Sequence, residues 1–391
     1  MDDTQSDHLK AYGLVYYTLK NDKGKWLLNY RSGSFLIEDR DEYRLKASLM
    51  GVYNEKISSS DFAQIEKTIS ENNMHLVELE KAPKIAIYAP SANEPWDDAV
   101  NMALEYAEIK YDKIWDPEVF NGKLEKYDWI HLHHEDFTGQ FGKFYGYYRN
   151  AEWYKIRVKE FEKAAFEAGF SSVGEHKRAV AKMFKLYIIK GGFLFAMCSA
   201  TDTMDIALAS DGLDIIPQEI DGTPVTPSAQ EKLNYKNCLA FTDFKLYFDP
   251  FKYEFSDIDI DIRREGIDRI PDTFTLFEFS AKVDPVLSML TQNHTFIIPG
   301  FLGQTTAYYR KTVKDSIIIM GETPGTDRVR YIHGEIGEGT FTFFAGHDPE
   351  DYRHLVGDPP TKLSLHKHSP GYRLILNNIL FPAARKEKRK T

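Results

Sequence analysis

The sequence predicts an α/β fold, with a mostly parallel central sheet covered by helices on both faces. Three observations lead there. From residue 84 onward, short apolar runs alternate with helical patterns long enough to cross a sheet. One of those runs passes through a sharp small-residue turn straight into a helix. Finally, 391 residues with 42% apolar and 14% aromatic content supply a core far beyond that of a minimal domain.

The elements follow in order. Leu14-Val15-Tyr16-Tyr17-Thr18-Leu19 and Trp26-Leu27-Leu28-Asn29-Tyr30 read as two strands joined across Asn21-Asp22-Lys23-Gly24, a hairpin signal. A polar helix over residues 60–71 completes a small α+β unit spanning 1–80. Ile85-Ala86-Ile87-Tyr88-Ala89 is a buried strand ended by Pro90. The next helix is expected to start near Asn93 with Pro95 in its first turn. Tyr127-Asp128-Trp129-Ile130-His131-Leu132-His133 is a strand. Helices carrying Tyr154, Val158, Phe161 and Ala165, then Val180, Phe184 and Ile188, follow it.

Residues 211–290 break the alternation and read as an insertion that covers or lines a cleft, dividing the main domain into 81–210 and 291–384. Within it, Asp257, Asp259 and Asp261 alternate as on the polar face of an edge strand. They lack the glycine and terminal glutamate of a calcium loop. Strands return at residues 316–320, 328–333 and 340–344, and a last helix spans 370–381.

Bulk properties exclude some classes. A net charge of −10 argues against nucleic-acid binding, which needs a basic face. The basic tail 385–391 reads as a solvated terminus. No apolar run approaches the length of a membrane span. Two cysteines, Cys198 and Cys238, cannot build a disulfide framework. Met1-Asp2-Asp3-Thr4-Gln5 has no basic or apolar leader, so a cytoplasmic protein, or an exported one in mature form, is expected. Nothing specifies an oligomeric state.

The chemistry concentrates in three places. Lys190-Gly191-Gly192-Phe193-Leu194-Phe195-Ala196-Met197-Cys198-Ser199-Ala200-Thr201-Asp202-Thr203 reads as strand, turn and helix with a thiol at the apex. The helix N-terminus there favours thiolate and an anionic intermediate. Gly346-His347-Asp348-Pro349-Glu350 offers a base and a carboxylate to orient it, with Glu350, or Asp348, as that orienter. In His131-Leu132-His133-His134-Glu135-Asp136, period-2 alternation puts His131 and His133 on one strand face and makes His133 and His134 diverge. No second cluster has ligand spacing, so metal is not expected. His131, His133, His134, Glu135 and Asp136 are assigned to substrate binding, together with Asp202. Phe144-Tyr145-Gly146-Tyr147-Tyr148-Arg149 reads as core packing, with a sugar-stacking platform as the functional alternative.

At the Gly191–Thr203 and Gly337–Glu350 motifs the chain resembles the class I glutamine amidotransferase-like superfamily, most closely its trehalose-utilisation (ThuA-like) branch. The resemblance covers residues 84–210 and 290–382. It implies a flavodoxin-like three-layer sandwich and a Cys-His-Glu triad, whose positions here are Cys198, His347 and Glu350. Asparagine synthetase B chemistry is not expected, because no cysteine follows Met1 and no Ser-Gly-Gly-x-Asp-Ser loop is present.

The expected function is therefore cofactor-free hydrolysis or amidotransfer at an amide or related carbonyl of a small polar or sugar-like substrate. Cys198 attacks, His347 moves the proton and Glu350 orients it. The alternative is a non-catalytic carbohydrate- or partner-binding protein using the same cleft.

Overall fold

The computed structural model describes residues 1–90, 98–284, 286, 289, 294–353, 355 and 358–386. The N-terminal part contains α1 (His8–Thr18), β1 (Gly24–Leu28), β2 (Ser34–Leu36), α2 (Asp41–Met50), α3 (Ser59–Glu71) and β3 (His75–Leu79). Its three strands form an antiparallel sheet ordered β2-β1-β3, with Trp26 opposite both Phe35 and Val77.

The run at residues 14–19 is helical, not a strand, and the hairpin joins β1 to β2 instead of crossing Asn21-Asp22-Lys23-Gly24. Asp7 caps α1 by accepting from the Lys10 N–H at 2.9 Å. Leu9, Tyr12, Leu14, Val15 and Tyr16 are all buried, so the helix lacks a polar face. A short run that is apolar all round reads alike as a buried strand or a buried helix.

Gly13 lets α1 close on its neighbour. A Cβ there would lie 1.7 Å from the carbonyl oxygen of Ala107. Gly13→Ala is therefore expected to cost about 1–3 kcal/mol by overpacking, read as a lower urea midpoint. An unchanged midpoint would show that the backbone yields there without cost.

Past residue 84 come β4 (Ile85–Tyr88), α4 (Ala99–Tyr106), β5 (Asp112–Ile114), α5 (Asp116–Phe120) and β6 (Trp129–Leu132). Then follow α6 (Tyr145–Tyr148), α7 (Glu152–Glu167), α8 (Val173–Ile189), β7 (Phe193–Met197), α9 (Ser199–Ala209) and α10 (Gln218–Asp221). The remainder is β8 (Thr273–Leu276), β9 (Ile297–Pro299), β10 (Tyr308–Tyr309), β11 (Ile318–Glu322), β12 (Arg328–Ile336), β13 (Gly339–Phe344) and α11 (Pro370–Leu380). Asn93 and Pro95, expected to open α4, lie outside the described residues, as do residues 387–391 of the basic tail.

The main sheet has ten strands in the order β5-β4-β6-β7-β13-β12-β11-β8-β9, with β10 paired to β12. It is mixed, not mostly parallel. β5, β4, β6, β7 and β13 run parallel. From β12 onward each strand pairs antiparallel with its neighbour. The change of direction is local: β12 turns into β13 through Gly337-Glu338, and Gly337 takes φ 62 beside Ile189, where a side chain would collide.

Each strand alternates its burial between two cores. Ile85, Ile87, Trp129, Phe195 and Phe344 face α1, α4 and α11. Ala86, Tyr88, Ile130, Leu194 and Phe343 face α8 and α9. Val180, Phe184 and Ile188 of α8 are fully buried there, each contributing about 1.5–3 kcal/mol.

The Asp257–Asp261 stretch is not an edge strand. Asp257 accepts from the Lys245 N–H, Asp259 from the Thr306 N–H, and Asp261 from the Arg263 and Arg264 N–H groups. Carboxylates that capture amides in this way compete with ladder pairing. No helix among the described residues is long and apolar enough to cross a membrane.

Candidate functional site

Parallel strands in such a sheet present their carboxyl ends to one edge, where ligands bind. Cys198 follows β7 directly, and β13 runs alongside with Phe344 in register with Met197, so His347 comes off the adjacent strand end. Cys198 adopts φ 53 and ψ −142, a conformation that costs a side-chain-bearing residue about 1–3 kcal/mol. The chain accepts that strain to set the sulfur at the head of α9.

The surroundings of the sulfur are polar but closed. Cys198 is 2% exposed. The Gln304 N–H donates to Sγ at 3.4 Å, and the Ser199 and Thr305 amides also favour the thiolate. Burial outweighs them and pushes the thiol up to about 11. The activation expected of a helix N-terminus is thus reversed, because desolvation of a fully buried charge exceeds the helix-end field.

Residues 301–306 tie the two strand ends together. Gln304 reaches Cys198, the Thr305 carbonyl accepts from the Gly346 N–H at 2.8 Å, and the Leu302 carbonyl accepts from the His347 N–H at 3.1 Å. The stretch Gly300-Phe301-Leu302-Gly303-Gln304-Thr305-Thr306 carries no catalytic motif, although its paired glycines signal close backbone packing. A Cβ on Gly303 would sit 3.0 Å from the His347 nitrogen.

The histidines converge. The His133 and His134 rings stack at 3.9 Å, and the His347 ring lies 4.8 Å from the first and 4.5 Å from the second. The expected divergence of His133 and His134 fails because β6 ends at Leu132, so the strand period no longer applies to them. Burial, with His133 and His347 as neighbours, holds the His134 imidazolium far below its ordinary range. His131 lies one pleat deeper and is fully buried.

Asp98 organises this cluster and was missed as sequence. Its Oδ1 caps α4 by accepting from Val100 and Asn101 N–H at 2.7 and 3.0 Å. Its Oδ2 lies 3.1 Å from His131 Nε2 and 3.0 Å from His133 Nδ1. Burial works to raise this carboxyl, yet the two histidines beside it hold it well below the usual carboxylate range. An Asp opening a helix just after a strand was the available signal.

The other assigned residues divide. Asp202 is fully buried, accepts from the Thr305 hydroxyl at 2.9 Å and is pushed by burial up to about 7. Glu135 turns away toward Lys177, 3.6 Å distant, in a buried set that includes Asp116 and Tyr88. Asp136 shapes its own turn, accepting from the N–H groups of Thr138 and Gly142. Glu350 pairs with His366 at 2.9 Å, and Asp348 accepts from the Tyr372 and Thr361 hydroxyls. The carboxylate that meets the histidine cluster is therefore Asp98. In α6, Tyr145 packs against Phe251 with Arg149 over both rings, while Tyr147 is exposed.

No family model matches this chain, and no curated protein matches it. Among solved structures it is similar to cytoplasmic protein STM3548 from Salmonella typhimurium, at 10% identity and TM-score 0.37, over 78% of this chain and 100% of that one. Cytoplasmic protein STM1381 from Salmonella typhimurium LT2 matches at 12% identity and TM-score 0.37, over 77% and 100%. Gan42B, a GH42 β-galactosidase from G. stearothermophilus, matches at 6% identity and TM-score 0.28, over 68% of this chain and 28% of that one. Likeness at these scores supports no statement about fold or function.

Proposed function

We propose that this chain is an enzyme acting at an amide or related carbonyl of a small polar substrate, with Cys198 as nucleophile. The observation that carries the reading is the strained backbone at Cys198, which aims the sulfur at the Gln304 N–H, at the end of the strand next to the one that leads to His347. That amide and those of Ser199 and Thr305 form the oxyanion site. With the thiol near 11, only about one sulfur in ten thousand is thiolate at neutral pH. Its proton must leave during attack, either to His347, which follows the adjacent strand, or to Asp202.

The parallel strands fit the order 2-1-3-4-5 when numbered within that half, which is the flavodoxin-like arrangement. That order, with the strand–turn–helix at Cys198, supports placing the chain with the glutamine amidotransferase-like superfamily and its ThuA-like branch. Tyr253 and Asp259, from the segment after residue 211, lie within electrostatic reach of Cys198 and Asp202, which supports a cleft lined by the insertion.

The test pairs turnover with alkylation. On a panel of chromogenic amides and esters, Cys198→Ala is expected to lower kcat/KM by at least about a hundredfold. Labelling of native Cys198 by iodoacetamide should be slow at pH 7 and rise about tenfold per pH unit toward 11. Undiminished turnover by the alanine variant overturns the nucleophile. A thiol that resists labelling at every pH until the chain unfolds leaves the cleft as a binding site.

A further inference from the structure

We propose that His133, His134 and His347 form a divalent transition-metal site, taking Zn2+ with one coordination position open, and that Asp98 is its outer-sphere carboxylate. The inference goes beyond the nucleophile reading and does not depend on it.

Four observations carry it. One ligand atom from each histidine lies within 4.8 Å of the other two. Nitrogens bound to one tetrahedral zinc at about 2.0–2.1 Å sit about 3.3 Å apart, so ring rotations of about 1 Å close the set. His133 Nε2 and His134 Nε2 are buried and accept or donate no hydrogen bond, which native interiors avoid unless another partner takes the lone pair. Asp98 Oδ2 lies 3.0 Å from His133 Nδ1, which sets a carboxylate on the far side of the ring from Nε2, where an outer-sphere partner of a metal-bound imidazole belongs. The donor set is all imidazole, which suits zinc and its transition-metal neighbours and not magnesium or calcium.

The arrangement also follows the design of reactive zinc sites, in which three protein ligands leave a position for water or substrate. His134 is the partly exposed member of the trio, so that position lies on its side. The adjacent trio of Asp98, His131 and His133 meets the same distance limit. It is the weaker candidate, because Asp98 is engaged by two helix amides and His131 Nδ1 by the Phe195 carbonyl. A metal on the three imidazoles withdraws them as proton acceptors and leaves Asp202 for that task beside Cys198.

The experiment is metal binding by the full chain, stripped with chelator and titrated with Zn2+ by calorimetry, with Co2+ as a spectroscopic probe. About one Zn2+ per chain is expected, with the visible absorption of four-coordinate Co2+. His134→Ala and His347→Ala should each weaken binding at least a hundredfold, and Asp98→Asn ten- to a hundredfold. Cys198→Ala should bind as the parent does, which separates this inference from the nucleophile. His176→Ala, outside the cluster, should likewise change nothing. Circular dichroism checks that each variant folds, and the Co2+ spectrum of the parent stands as evidence if one does not. A parent chain that takes up no stoichiometric Zn2+, or histidine variants that bind as tightly as the parent, overturns the site.

Discussion

Asp205→Ala is expected to destabilise the fold by about 3–5 kcal/mol, the cost of removing one partner from a buried charged network. Asp205 is fully buried in α9, and its carboxylate accepts from the Leu239, Ala240 and Phe241 N–H groups at 2.6, 2.7 and 2.8 Å. Burial pushes the carboxyl up to about 6, so it is ionised near neutrality and those amides are its counterpart. Alanine leaves three buried donors unpaired, each costing about 1–3 kcal/mol, partly offset by relief of the buried charge. The segment after residue 237 then loses its hold on α9, the helix that carries Cys198 at its head. Urea unfolding at pH 7 reads the effect. Asp205→Asn, which keeps one acceptor, should lose distinctly less. Equal midpoints for the parent and the alanine variant would mean those amides find water or other partners.

The second large effect is a pH dependence written by Asp202. Its folded value, about 7, stands above the ordinary 3.8 chiefly because the side chain is buried, with Asp136 adding to the shift. Below pH 3.8 the folded and unfolded chains are both protonated here, and the group exacts no penalty. Between 3.8 and about 7 the unfolded chain releases a proton that the folded chain retains, so stability falls as pH rises. Above that window the deficit levels off at roughly 4 kcal/mol. Asp202→Asn should therefore be more stable than the parent at pH 8 by a few kcal/mol and level with it near pH 4. Parallel stability curves across that range would remove Asp202 as the source. Asp259, also raised by burial and by Asp202 itself, and Asp205, raised by burial, leave a slope of the same sign in the variant.

Much of the fold was legible because its signals are local. The alternation of apolar strands with amphipathic helices located β4, β6, β7, α7, α8, β13 and α11 to within a few residues. The Gly191-Gly192 turn and the small residues after Cys198 marked the strand–turn–helix that the backbone adopts. Local signals failed where burial was uniform. α1 looked like a strand because packing on several sides had erased its helical stripe. The antiparallel half was not foreseen, since strand direction depends on the connection and not on the apolar run it joins.

Site residues were less legible for a related reason. His133 and His134 were expected to diverge under a strand period that ends at Leu132. Glu350 looked like the partner of His347 because it is near in sequence, yet the turn carries it to His366. Asp98 and Gln304 are far in sequence from the groups they touch, and neither has a distinctive motif.

Composition and pattern by themselves determined that this chain folds as α/β and that its thiol and histidines sit at strand ends. Those properties depend on neighbours within about a dozen residues. Tertiary structure decided which of these groups meet, which carboxylate serves the histidines, and whether the thiol is activated or suppressed. Contact and desolvation are set by segments tens to hundreds of residues apart, and their sign depends on how completely water is excluded.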